Sequence, residues 1–254
     1  MFMLSKMHAL AVGGADGDFA VNAVDFDGTN DYLTRGAGLT GAADSSTGIL
    51  SVWLRLDGGN GANMEVWCDD ALFIEFIRDS TDRFKAILYN AAGNSRLEFR
   101  TVTQYTANAA WRHFLLSWNT AFSASNKLSH LYVNDVSDKS VVSDIAASFN
   151  IDYTRGNWGF GAVPSASQKF NGCMAEFYFA MGQYLDFSVE ANRRKFISAT
   201  GKPVSLGADG SLPTGSAPTV YLNNPAASFG TNKGTGGNFT ITGTLDTAST
   251  SPSD

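Results

Sequence analysis

The stretch VDFDGTNDYL, Val24 to Leu33, decides how the rest of the chain is read. Val24 and Phe26 alternate with aspartates, as on a half-buried strand. Asp27-Gly28 is a turn signal, because both residue types tolerate the conformations a tight reversal needs. Tyr32 and Leu33 then begin a second apolar run. The same ten residues hold Asp25, Asp27, Asn30 and Asp31, oxygen donors of the kind a hard cation collects. Two readings stand side by side: a turn whose Asp and Asn side chains bond their own backbone, and a calcium site at Asp25, Asp27 and Asp31.

Outward from this stretch the hydrophobic period stays at two. ILSVWLRL (49–56), ALFIEFI (71–77), FKAILYN (84–90) and SRLEFRTV (95–102) come first. WRHFLLSWN (111–119), KLSHLYVND (127–135), NWGFGAV (157–163) and CMAEFYFAM (173–181) follow. EVWCDD (65–70) reads as a strand running into a turn. Short aromatic and β-branched runs bounded by Asp, Asn, Gly and Ser predict an all-β fold, an antiparallel sandwich or barrel. DFSVEANRRKFIS (186–198) breaks the pattern. Asp186 and Ser188 are candidate caps, and Val189, Phe196 and Ile197 share one helical face, so one short helix is expected. From Gly201 onward the composition shifts. Five of the six prolines lie there, and TVYLNN and FTITGTL are the strand-like pieces. The expected organisation is an N-terminal segment 1–19, a sandwich 20–200 and a Pro/Gly-rich C-terminal arm 201–254 whose short strands could add to a neighbouring subunit.

Bulk properties exclude several classes. The chain is 44% hydrophobic and 17% charged over 254 residues, enough apolar content for a sizeable core. A net charge of -6 with no Lys/Arg-rich run argues against nucleic acid, which needs a basic stripe. No apolar run approaches the roughly 20 residues that span a bilayer, so no membrane partner is expected. Lys6 and His8 interrupt the apolar N-terminus, making it a poor export signal. Cys68 and Cys173 are not spaced as a zinc pair. Two buried thiols are the ordinary reading, and one disulfide stays open.

Four segments in order carry a resemblance: DFDGTNDYL, ILSVWLRL, the pair WRHFLLSWN and KLSHLYVND, and FNGCMAEFYFAMGQYLDFSVEANRRKF (170–196). Together they resemble laminin-G-like domains of the concanavalin A-like jelly-roll class, over residues 20–198. In that family a W-x-H-F strand pairs with L-Y-V-N-G, and an F-x-G-x-x-D/E strand leads into a short helix. Here Asp135 replaces the turn glycine and Glu176 takes the acidic position. The resemblance implies a β-sandwich that often binds calcium at loop rims. The segment GKPVSLGADGSLPTGSAPTVYLNN looks like an extension found on such proteins in tailed bacteriophages. That implies a non-enzymatic virion protein, a capsid decoration or tail component assembled in the host cytoplasm. Its partners would be other virion proteins, copies of itself, a trimer for instance, and a cell-surface glycan.

Two alternatives remain: a carbohydrate-binding module and a glucanase. Sugar recognition uses aromatic faces, and Trp67, Tyr105 and Trp158 lie near expected loops, whereas Trp53, Trp111 and Trp118 read as core. A retaining glucanase needs two carboxyls about 5–5.5 Å apart. The sequence offers only Glu75 and Glu176, each alone in an apolar strand. His113 and His130 sit in expected strands without a catalytic motif, and no G-x-S-x-G elbow is present.

Overall fold

A computed structural model describes residues 19–94, 96–122, 128–144 and 148–254; the expected N-terminal segment 1–19, with His8, lies almost wholly outside the described residues. In chain order the first strands are β1 (Ala23–Asp27), β2 (Tyr32–Arg35), β3 (Thr47–Leu56), β4 (Met64–Asp69), β5 (Ile74–Arg78) and β6 (Phe84–Tyr89). Next come β7 (Arg96–Arg100), β8 (Trp111–Asn119), β9 (Leu128–Val133), β10 (Val136–Ser137), β11 (Ser140–Asp144) and β12 (Trp158–Phe160). Then follow β13 (Asn171–Met181), the helical turn α1 (Glu190–Arg193), β14 (Val220–Leu222), β15 (Thr240–Thr242) and β16 (Asp246–Thr247).

The strands form two antiparallel sheets. The first runs β10-β9-β8-β3-β13-β1-β16, with β14 also paired to β13; the second runs β11-β7-β6-β5-β4-β12-β2-β15. VDFDGTNDYL is therefore a corner and not a hairpin: β1 belongs to the first sheet and β2 to the second. Val24, Phe26 and Leu33 all enter the core between the sheets. Gly28 makes the corner at φ 71°, and a Cβ there would meet Asn171 Cβ at 2.7 Å. The core is rich in rings. Phe84 and Phe114 approach to 4.1 Å between centroids, and Phe160 meets Phe177 edge-on at 4.6 Å.

The family-like motifs have local causes. Asn134 and Asp135 form the two-residue β9–β10 turn with φ of 48° and 67°, so Asp135 adopts the left-handed conformation that glycine would take without strain. In Phe170-Asn171-Gly172 the glycine stands at φ 149°, and a Cβ would lie 2.1 Å from the Arg55 carbonyl oxygen. Glu176 is the bulge of β13, at φ 50°, between the stretch paired with β1 and the stretch paired with β14.

Two expectations change. The helix is one turn. Asp186 bonds the Ser188 N–H (2.8 Å) and hydroxyl (2.6 Å), Val189 is the exposed N-cap, and only Phe196 and Ile197 are buried. One turn is too short for a 3.6-residue pattern to place three residues on one face. The C-terminal residues also do not reach away. β14 pairs with β13, β15 with β2 and β16 with β1, so the strands close both sheets of their own chain. The last residues are held too: Ser253 Oγ donates to the Phe19 carbonyl (2.7 Å) and accepts from the Val21 N–H (3.1 Å). No helix among the described residues is long and apolar enough to cross a membrane.

Candidate functional site

The residues singled out from the sequence go to different places. Trp67 and Trp158 are fully buried on central strands of the second sheet, and their indoles stack at 4.8 Å and 18°. Their faces are spent on each other and on Phe179, so neither offers a sugar platform. Tyr105 is half-buried, donates its hydroxyl to Asp138 (2.6 Å) and carries the Arg112 guanidinium over its ring at 5.1 Å.

The three aspartates diverge. Asp27 Oδ1 accepts the N–H groups of Thr29 (2.7 Å) and Asn30 (2.9 Å). Slight desolvation pushes its pKa up, but these backbone donors hold it below the ordinary carboxylate value. Asp31 is buried and accepts the Thr244 N–H at 2.8 Å, tying the corner to the β15–β16 turn; that burial pushes its pKa up. Asp25 bonds neither of them and lies beside Cys173 (Sγ to Oδ1 3.6 Å) and Asp57. This set does not fit calcium. It offers two carboxylates and a soft thiol, the Arg55 guanidinium already pairs with Asp57 at 2.8 Å, and burial pushes the Cys173 thiol pKa up. Calcium needs six to eight oxygens. Turn chemistry accounts for Asp27 and Asp31.

The acids do not assemble as in a glucanase. Glu75 on β5 meets Glu65 on β4, on the side of the second sheet turned from the core. Glu65 is wholly buried with no hydrogen-bond donor on either oxygen, and burial followed by Glu75 lifts its pKa well above the ordinary value. Burial lifts the Glu75 pKa as well, so the pair lies in a dry setting. Glu176 belongs to the other sheet. It accepts the Tyr221 hydroxyl at 2.7 Å, and burial lifts its pKa to about 7. Cys68 and Cys173 are buried free thiols on different sheets. His130 bonds the Tyr184 hydroxyl (3.1 Å). His113 bonds Ser51 Oγ (2.8 Å) and stacks on Trp53 at 4.8 Å. Burial lowers its pKa to about 3, so it stays neutral.

What the fold does build is a cleft of about 350 Å3 on the outer face of the first sheet, lined by Trp53, Trp111, Asn134, Lys202, Ser251 and Asp254 with Gly201 and Pro252. Inward Phe114, Leu116 and Trp118 force Trp111 and His113 outward on β8, and Trp53 is His113's cross-strand neighbour on β3. Asn134 is fixed by accepting the His113 N–H at 2.8 Å. The far wall is the C-terminal segment. Thr250 Oγ1 accepts from Trp111 Nε1 (3.1 Å) and from Arg55 Nη1 (2.8 Å), and Lys202 Nζ bonds the Asp254 carbonyl. Trp53 is itself buried with its face on His113, so Trp111 supplies the accessible indole surface; ringed by an amide, an ammonium, a hydroxyl and a carboxylate, it suits a hydroxylated ligand with one apolar face. A second cleft of about 360 Å3, lined by Thr40, Asp44, Ser45, Gln183, Thr219 and Thr235, has no aromatic wall.

Trp111 was placed in the core by sequence reasoning. The strand parity of WRHFLLSWN held the corrective signal, but the tail residues that complete the cleft left none.

The backbone as a whole superposes on known sandwiches. A protein of Bacteroides ovatus proposed to bind carbohydrate matches 91% of this chain with a TM-score of 0.62 at 15% identity. The fold is an antiparallel β-sandwich of the kind that protein has. This chain spans 61% of that protein's length. The LG1–3 region of the laminin α2 chain (TM-score 0.47, 12% identity, 63% of this chain and 31% of that one) is also similar. So are domains LG4–5 of the mouse laminin α1 chain (TM-score 0.47, 15% identity, 70% and 46%). No protein-family model matches this chain, and no curated protein does.

Proposed function

We propose that this sandwich is a glycan-binding module that acts by binding and not by turnover. The observation that carries the reading is the Trp53–Trp111 cleft, where aromatic surface and hydrogen-bonding groups converge on the outer face of the first sheet. The Bacteroides protein of like fold, itself proposed to bind carbohydrate, supports the ligand class. Sugars bind such sites by laying a C–H face on an indole while polar groups take the hydroxyls. Screening the chain on a glycan array, then titrating hits by calorimetry, tests it. Trp111→Ala and Lys202→Ala are expected to weaken binding by about tenfold or more, equivalent to about 1.4 kcal/mol each. Tyr105→Ala is expected to leave it unchanged. Binding that survives Trp111→Ala removes the cleft from consideration. The buried Glu65–Glu75 contact favours the non-enzymatic reading. Glycan turnover lost in Glu75→Gln would reverse it.

The setting implied by the C-terminal segment's resemblance is a bacteriophage particle, with the sandwich displayed on the virion surface for host-glycan adhesion. Mass spectrometry of purified particles tests that setting separately from the sugar site.

A further inference from the structure

Both sheets end on the same side of the sandwich in consecutive strands, β10 in the first and β11 in the second. A free edge normally carries charges that discourage association. Here the two charged residues of the connecting turn are folded inward. Asp138 accepts the N–H groups of Val102 (2.8 Å) and Thr103 (3.0 Å), and Lys139 Nζ donates to Ser129 Oγ (3.1 Å) and to the Ser129 carbonyl. Valines face the solvent in their place. Val136 is 67% exposed, Val102 59%, Val141 48% and Val142 45%, half of the eight large apolar side chains exposed among the described residues. The opposite edges are the short polar β15 and β16.

We propose that this edge is the contact surface of a two-fold homodimer. The segment Lys139-Ser140-Val141-Val142-Ser143-Asp144 is self-complementary about its centre. An axis between Val141 and Val142 sets Val141 of one copy against Val142 of the other, and Ser140 against Ser143. It also brings Asp144 toward Arg100 of the second copy, because Arg100 is the register partner of Ser140, while Lys139 stays folded onto Ser129. Opposite charges therefore meet at both ends of an apolar centre, as an isologous contact requires. The register of β11 against β7 shifts between Val141 and Ser143. That bulge leaves both valine side chains outward, so they pack across the edge and do not simply extend the hydrogen-bond ladder.

Sedimentation velocity of the full chain over a wide concentration range is the test. A reversible dimer is expected, loosened by salt. Val141→Asp with Val142→Asp should give a monomer whose unfolding midpoint matches that of the wild type at dilutions where the wild type is monomeric, and Val136→Lys, outside β11, should weaken the dimer independently. A chain that stays monomeric at every concentration overturns the proposal. So does an assembly that persists in the double variant, or one built on three-fold symmetry.

Discussion

At the scale of single residues, two buried groups titrate in opposite senses. His113 is held near pKa 3 by burial, below its ordinary 6.5. The unfolded chain then binds more protons than the folded one between these values. Stability is full above pH 6.5 and is lost as pH falls toward 3, by at most about 1.4 kcal/mol per pH unit. Glu176 is raised from 4.5 to about 7 by burial. Its contribution is full below pH 4.5 and is lost as pH rises through 7. The two windows overlap between pH 4.5 and 6.5, where the opposite slopes offset each other, so thermal melts of the wild type are expected to plateau there and fall on either side. His113→Gln, which can still bond Ser51, should flatten the acid limb alone. Glu176→Gln, which can still accept from Tyr221, should raise the midpoint above pH 7 and leave it unchanged at pH 4. An alkaline limb identical in Glu176→Gln and wild type would assign that limb to the Glu65–Glu75 pair instead.

At the scale of elements, β8 is legible in the sequence to the residue, because WRHFLLSWN alternates without interruption between the faces of a central strand. The same holds for the Asp27 corner and the Asn134-Asp135 turn, where side-chain chemistry and backbone conformation agree. What the sequence hides is partnership. Trp67 and Trp158 sit beside turn-like strings, yet their strands lie in the middle of the second sheet, an order set by contacts far apart in the chain. In the Pro/Gly-rich 201–254, TVYLNN and FTITGTL show β14 and β15 in the sequence, whereas the two-residue β16 is too short to show a period of its own. Gly172 is legible only as part of a motif, and the backbone supplies the reason. Gly172→Ala would bring a Cβ against the Arg55 carbonyl in a conformation alanine avoids. The expected cost is about 3 kcal/mol, read as a lower denaturation midpoint with unchanged slope. Deleting residues 249–254 removes the Thr250 acceptor of Trp111 and Arg55. Trp111 fluorescence should shift to the red and glycan binding should fall. Unchanged binding after that deletion would place the ligand elsewhere on the sheet.

At the scale of the molecule, the cleft and the valine edge are neighbours: Asn134 lines the first, and Val136 begins the second. If the two-fold axis runs along the sheet normal, edge-to-edge apposition turns both clefts of a dimer to the same side. Single clefts of this size and exposure bind sugars weakly, since few groups converge and solvent competes for each. Two clefts facing one glycan-coated surface convert the second contact into an intramolecular event and can raise apparent affinity by about a hundredfold without a new contact. The wild type should then hold a densely coated surface far longer than a dilute one. Val141→Asp with Val142→Asp should lose that difference while keeping the same affinity for a free monovalent sugar in calorimetry. Trp111→Ala should lose both. A double variant that still distinguishes dense from dilute surfaces would separate the edge from glycan adhesion, leaving the cleft's own chemistry intact.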